Sequence, residues 1–353
     1  MKKMRVAFLR RWNAFSITNN HSFVNQKAYL QSAIKALTAF PVNDAKVEFI
    51  SQSENISYRV RTAHGQSYVL RLHRPSYHNL AELESEQIWT EALLDSDIDV
   101  PVALRTLEGS RYARVECPDG WRFVGMLEWV EGNLLWDILP KSETASSIAR
   151  SDTNPFHQLG RLIATLHDHA TQWEIPEDFT RHSLNSDGFV GESPFWGRFW
   201  ESPVLDNPRK DSLLSIRNYI KEILLEYESL SPPYSLIHAD LHASNVVTNG
   251  PRLHIIDFDD SGFGWHAFDL AVALHNLRDS THYDKFKSLL LDGYSDVLPI
   301  SEKDIEMIEL FLVVRSLASI GWVTARPDLN RDRAKICQDL YEEARLRLGR
   351  FES

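Results

Sequence analysis

The hydrophobic period of this chain changes once, and that change limits the folds open to it. Up to residue 130 the apolar residues fall in short β-rich runs at 47–51, 56–61, 67–72, 100–115 and 122–130. His64-Gly65 and Pro118-Asp119-Gly120 supply turns between them. A helix opens this part over residues 25–40, where Ala28, Leu30, Ile34 and Leu37 share one face before Pro41, and a second helix is expected at 82–94. After Glu131-Gly132 the spacing becomes helical, as in Leu159, Leu162, Ile163 and Leu166. One island of strand returns at 246–248 and 253–256, joined by Asn249-Gly250, a strong hairpin signal. Strands followed by helices predict an α+β, bilobal architecture. The N-terminal lobe spans residues 25–130 and ends in a short hinge, and the C-terminal lobe spans 131–353.

At 353 residues and 43 % hydrophobic composition, the chain can bury a full core in each lobe. Its 38 basic and 49 acidic residues give a formal charge of -11, which argues against nucleic-acid or anionic-membrane partners. Cys117 and Cys337 are too few and too far apart for a disulfide framework or a zinc site, so a reducing, cytoplasmic setting is expected. No apolar run reads as a membrane span. The richest, 305–323, is broken by Glu309 and Arg315 and is expected to be a buried helix. Residues 1–24 hold Lys2, Lys3, Arg5, Arg10 and Arg11 without an acid and are expected to form a disordered extension.

The chemistry concentrates in LIHADLHASNVVTNGPRLHIIDFDD, residues 236–260. His238, Asp240 and Asn245 form H-x-D-x-x-x-x-N, and Asp257 ends the apolar strand beyond the hairpin. Phosphoryl transfer needs a carboxylate to orient and deprotonate the attacking hydroxyl, and oxygen ligands for the Mg²⁺ that neutralises the phosphates. Asp240 is the base candidate, and Asn245 and Asp257 are the metal-ligand candidates. His238 is either a hydrogen-bonder within the loop or a group touching substrate. Asp259 is either a metal or substrate ligand or a cap for the turn at Ser261-Gly262.

These motifs resemble the aminoglycoside phosphotransferase and choline kinase family, whose fold is protein-kinase-like. Ile256-Asp257-Phe258-Asp259-Asp260 fits that family's second signature, and the resemblance covers most of the chain after residue 25. It implies ATP and Mg²⁺ as cofactors and a small-molecule hydroxyl as acceptor. It also implies that Asp269, in Asp269-Leu270-Ala271, supports the catalytic loop.

In kinase-like folds the first lobe binds ATP through a basic residue on the third strand paired with a helix carboxylate. Arg71 stands where a lysine is usual, with Glu86 as its partner and Glu82 and Glu84 as rivals; the alternative for Arg71 is a surface strand residue. Ser53 and Asn55 lie in a phosphate-covering turn without the G-x-G-x-x-G pattern. Met126, Leu127 and Trp129 fall in the expected hinge, which can equally be a plain buried strand.

Ala239 in place of the protein-kinase arginine, Asp259 in place of the D-F-G glycine and the lack of an A-P-E segment favour a small-molecule kinase. Residues 53–75 look closest to bacterial relatives of type II homoserine kinase and of stress-response kinase A, which keeps a Ser/Thr protein kinase as the alternative. A nucleotide-binding pseudokinase is the third reading. Phe195, Trp196, Phe199 and Trp200 are read as a packing cluster, or as a wall for a cationic ligand.

Overall fold

The computed structural model describes residues 23–139, 154–328 and 332–351; the expectation for residues 1–24 falls, up to residue 22, outside them. The chain divides into two compact units, Met1–Glu131 with Ile175–Thr180, and Gly132–Glu174 with Arg181–Ser353.

The first unit is a five-stranded antiparallel sheet in the order β1-β2-β3-β5-β4, from β1 (Ala45–Gln52), β2 (Ile56–Thr62), β3 (Ser67–Leu72), β4 (Ala113–Cys117) and β5 (Gly120–Glu128). Its strands form because apolar residues recur every second position. Ile56, Tyr58 and Val60 of β2 and Tyr68, Leu70 and Leu72 of β3 are buried together against Leu37 and Phe40. Gly65 closes the β2–β3 hairpin at φ 87°, a left-handed conformation that suits glycine. The Leu80–Asp95 helix begins in a full capping box, with Asn79 and Glu82 exchanging side-chain and backbone hydrogen bonds.

One expected strand is shorter than its sequence suggested. Of residues 100–115 only Ala113–Cys117 is a strand, preceded by an isolated bridge between Ala103 and Leu127. Pro101 and a turn at residues 106–110, closed by Ser110 N donating to Thr106 Oγ1 at 3.0 Å, interrupt the pairing.

The second unit is mainly helical, with two small sheets. The first pairs β10 (Arg252–Ile255), β9 (Val246–Asn249) and β6 (Asn133–Leu134) in that order; the second pairs β7 (Ser183–Leu184), β11 (Gly262–Trp265) and β8 (Tyr234–Ile237). Every residue of the His266–His275 helix is buried. The Glu302–Ala325 helix, at 24 residues, is long and apolar enough to cross a membrane by length and composition, contrary to the sequence reading, but most of it is buried in this unit. Its charged Arg315 lies within that buried span and meets a carboxylate described below.

The helices Pro155–Gln172 and Tyr283–Ser295 approach closely because glycines face each other across them. A methyl at Gly160 would sit 2.0 Å from Leu290 O, and one at Gly293 would sit 1.9 Å from His157 O. Backbone oxygens cannot rotate away as a side chain can. Gly160→Ala should therefore cost about 3 kcal/mol in urea unfolding, the upper end for overpacking. Gly349→Ala, where nothing lies within 4 Å, should stabilise its helix slightly. Equal stability of the two variants would show that the helices do not meet at Gly160.

Candidate active site

The candidate residues of the H-x-D-x-x-x-x-N loop are held by backbone bonds that one buried carboxylate organises. Strand β8 ends at Ile237, and the chain turns through His238 and Ala239 to present Asp240. Ala239 sits at φ 65° and Asp257 at φ 70°, left-handed conformations that cost of order 1–3 kcal/mol for a residue with a side chain. Asp269, fully buried in the first turn of its helix, stabilises the first of these turns. It accepts His238 N at 2.9 Å and Ala239 N at 2.7 Å. Burial raises the Asp269 pKa, opposed by His238 and by the two amides.

Behind Asp269 lies a neutral hydrogen-bonded chain. His167 Nε2 is 3.2 Å from Asp269 Oδ2, and its Nδ1 is 3.1 Å from the Tyr294 hydroxyl. Burial lowers the His167 pKa to about 3, so the contact with Asp269 is a neutral hydrogen bond rather than an ion pair.

Both ring nitrogens of His238 serve the backbone. Nδ1 accepts Asp240 N at 3.2 Å and Nε2 donates to Ile256 O at 3.1 Å, which ties the loop to the residue before Asp257. Burial lowers the His238 pKa, and this bonding fixes the neutral Nε2–H tautomer. Of the two alternatives for His238, the geometry is that of a hydrogen-bonder within the loop.

Asp240 is met on both carboxylate oxygens. Asn245 Nδ2 donates to Asp240 Oδ2 and to its main-chain oxygen, both at 2.9 Å. Arg315 pairs with Oδ1. His242 Nε2 lies 3.5 Å from Oδ2, with its pKa lowered to about 4, first by burial and then by the charge of Arg315. Burial pushes the Asp240 pKa up, Arg315 opposes it, and the negative charge of Asp257 adds to the rise.

With Nδ2 of Asn245 committed to Asp240, its Oδ1 is left as an acceptor. Asn245 Oδ1 and the Asp257 carboxylate are hard oxygen donors, the type Mg²⁺ takes. Among the described residues no group of three or more His, Cys, Asp and Glu could hold a metal by itself. Two protein oxygens suit an ion that also takes oxygens from substrate phosphates and water. Asp259 is buried in a loop clamped by Arg181, whose Nη2 donates to Asp259 O and whose Nε donates to Ser261 O, each at 2.5 Å.

In the first unit Arg71 Nη1 lies 3.7 Å from Glu86 Oε1, and both residues are buried, so Arg71 is not a surface strand residue. Glu82 is spent in the capping box, and of the three glutamates Glu86 is the one paired with Arg71. Ser53 and Asn55 do lie in the turn between β1 and β2, but Asn55 is buried and its Oδ1 accepts Arg74 N at 3.1 Å. Glu54 pairs with Arg74 at 3.0 Å. The expected hinge is largely sheet: Met126 is buried with its oxygen accepting Leu104 N, Glu128 N donates to Val102 O, each at 2.8 Å, and Trp129 N donates to Ser67 O at 3.0 Å. Leu127 pairs with Val69 of β3. The Arg59 guanidinium stacks 3.9 Å from the Trp129 ring centroid.

The aromatic cluster packs. Trp196, Phe199 and Trp200 are buried, and Phe195 stacks on His182 at 3.5 Å. Arg315, His242, His167 and Arg181 complete the site without belonging to any motif. For Arg315 a signal exists in the sequence, because a lone arginine in an apolar helix demands a buried counter-charge. For Arg181 and His167 the sequence offers none.

The pattern of the phosphotransferase enzyme family matches residues 46–299. Amicoumacin kinase of Bacillus subtilis is 22 % identical over 325 residues, 85 % of this chain and 86 % of that protein. A homoserine kinase of Chelativorans sp. is 32 % identical over 158 residues, 43 % of this chain and 46 % of its own length. A protein of Synechocystis sp. is 24 % identical over 248 residues, 69 % of this chain and 63 % of its own length. The solved structure of a microcompartment-associated aminopropanol kinase superposes with a TM-score of 0.75 and 28 % identity, covering 89 % of this chain and 95 % of that one. The match spans 254 of 353 residues and both signature motifs, so the chain belongs to the phosphotransferase enzyme family and has its protein-kinase-like α+β fold.

Proposed function

We propose that this protein transfers the γ-phosphoryl group of ATP, with Mg²⁺, to a hydroxyl of a small molecule. The observation that carries this reading is the hydrogen-bonded pair of Asp240 and Asn245, with His238 tying their loop to Ile256, the residue before Asp257. Relatives named for small-molecule acceptors, amicoumacin, homoserine and aminopropanol, support it.

Asp240 orients the acceptor hydroxyl and takes its proton as the hydroxyl oxygen forms a bond to the γ-phosphorus and the bond to the departing ADP oxygen breaks. Asn245 Oδ1 and Asp257 hold the metal, with Asp259 as a further oxygen nearby. When bound, Mg²⁺ neutralises charge on the phosphates. His238 positions the loop through its two backbone bonds. In the first unit, Arg71 braced by Glu86 holds the nucleotide phosphates through its planar fork, with the 53–55 turn covering them.

Asp240→Asn should lower kcat by about 10²- to 10⁴-fold while leaving ATP affinity nearly unchanged, as expected for loss of a positioned general base. Near-normal turnover would remove Asp240 from the mechanism. In a thermal-shift assay, Asp257→Ala should stay folded yet lose the Mg²⁺-dependent rise in Tm with ATP; a wild-type rise would refute the metal assignment. Arg71→Lys should keep activity with a raised KM for ATP. Arg71→Met should lose about 10- to 150-fold in kcat/KM, the equivalent of one charge-assisted hydrogen bond. Wild-type protein that binds ATP but phosphorylates only proteins, or nothing, would overturn the small-molecule reading.

A further inference from the structure

Among the described residues Arg315 is the one strong cation placed against Asp240. It rises from the middle of the Glu302–Ala325 helix, and its side chain is only 12 % exposed. A guanidinium carries five N–H donors in a planar fork. Among the described residues it makes a single hydrogen bond, to Asp240 Oδ1. Its plane is steadied by Trp196, whose ring centroid lies 5.7 Å from Cζ. Trp196 is itself fixed, its indole N–H donating to Asp260 Oδ2 at 3.3 Å.

The two oxygens of Asp240 divide the site. Oδ2 faces Asn245 and His242, on the side of the metal-ligand candidate, whereas Oδ1 faces Arg315 and, beyond it, Trp196. With most of its donors unused by protein, and with no Arg315 nitrogen among the buried side-chain atoms that lack a partner, this cation keeps an edge that water reaches and that an anion can take up. A carboxylate matches the guanidinium fork in two-point geometry, and an ammonium group at the same place would be repelled.

We propose that Arg315 recognises a carboxylate on the acceptor, so that the protein's acceptor is a hydroxy acid, such as a 2-amino hydroxy acid, rather than the corresponding amino alcohol. The inference rests on the small-molecule kinase reading and narrows its substrate class. It also gives Arg315 two contacts, the base on one edge and the acceptor carboxylate on the other, which would set the distance between the acceptor's hydroxyl and Asp240.

Matched acceptors that differ only by the carboxylate isolate the effect. L-Homoserine and 3-amino-1-propanol form one pair, and L-threonine and 1-amino-2-propanol form a second. In wild-type protein with Mg-ATP, the acid of at least one pair should be favoured over its amine by about 10- to 150-fold in kcat/KM, the span of one charge-assisted hydrogen bond. Arg315→Met should reduce that preference to near unity, and Arg315→Lys should retain part of it. Any damage to Asp240 from losing its partner strikes both members of a pair alike and cancels in the ratio. Equal preference in wild type and Arg315→Met, or a wild-type preference for the amines, overturns the proposal.

Calorimetric binding of the same four compounds to the full-length protein provides a readout that does not need turnover. Tighter binding of the acids that vanishes in Arg315→Met supports the carboxylate site even if no acceptor is phosphorylated, which would instead count against the kinase reading. Binding of neither acid in preference to its amine overturns the carboxylate site.

Discussion

Asp269 accepts two consecutive backbone amides from a turn that an alanine must enter at positive φ. Without those bonds Ala239 would relax toward ordinary backbone geometry and Asp240 would swing with it. The carboxylate is buried, so its own desolvation has to be offset by the amides and by His167. The His266–His275 and Pro155–Gln172 helices therefore matter to the chemistry although neither carries a reacting group. Their packing places Asp269 and His167 where the loop needs them.

A second set of bonds connects Asp240 to the segment that leads into Asp257. His238 spans from Asp240 N to Ile256 O, and Asn245 spans from its main-chain oxygen, which accepts Ile256 N at 3.0 Å, to the carboxylate of Asp240. The loop of Asp240 and the residue before Asp257 are thereby joined through short, directional contacts at the open end of the β9–β10 hairpin. Burial raises the pKa of Asp240, Arg315 works against that rise, and the charge of Asp257 adds to it.

The first unit holds its cation by a different device. Arg71 sits on β3 with its side chain opposite the buried Leu70 and Leu72, and the capped Leu80–Asp95 helix brings Glu86 to it. Capping by Asn79 and Glu82 sets where that helix starts, and hence which of its glutamates reaches Arg71. One N-cap thus selects a partner that composition alone left open among three.

Sequence alone determined the change from strands to helices near residue 131, the 246–256 hairpin and the two signature motifs, because periodicity and short spacings are local properties, but it missed the small sheet of residues 183–184, 234–237 and 262–265, whose strands are two to four residues long and pair across the chain. It also carried a trace of Arg315, as a charge stranded in an apolar helix. The contacts that give those residues their roles join positions far apart in the chain: Arg315 to Asp240 across 75 positions, His167 to Asp269 across 102, and Arg181 to the 258–261 loop across about 80. The tertiary structure also decided which groups were already spent, with Asn55 bonded to residue 74 and Met126, Glu128 and Trp129 bonded into the sheet. Spacing shows which side chains are available along a segment, but a hydrogen bond is satisfied only in three dimensions. Which donors and acceptors remain for a ligand was therefore settled by packing rather than by the order of the residues.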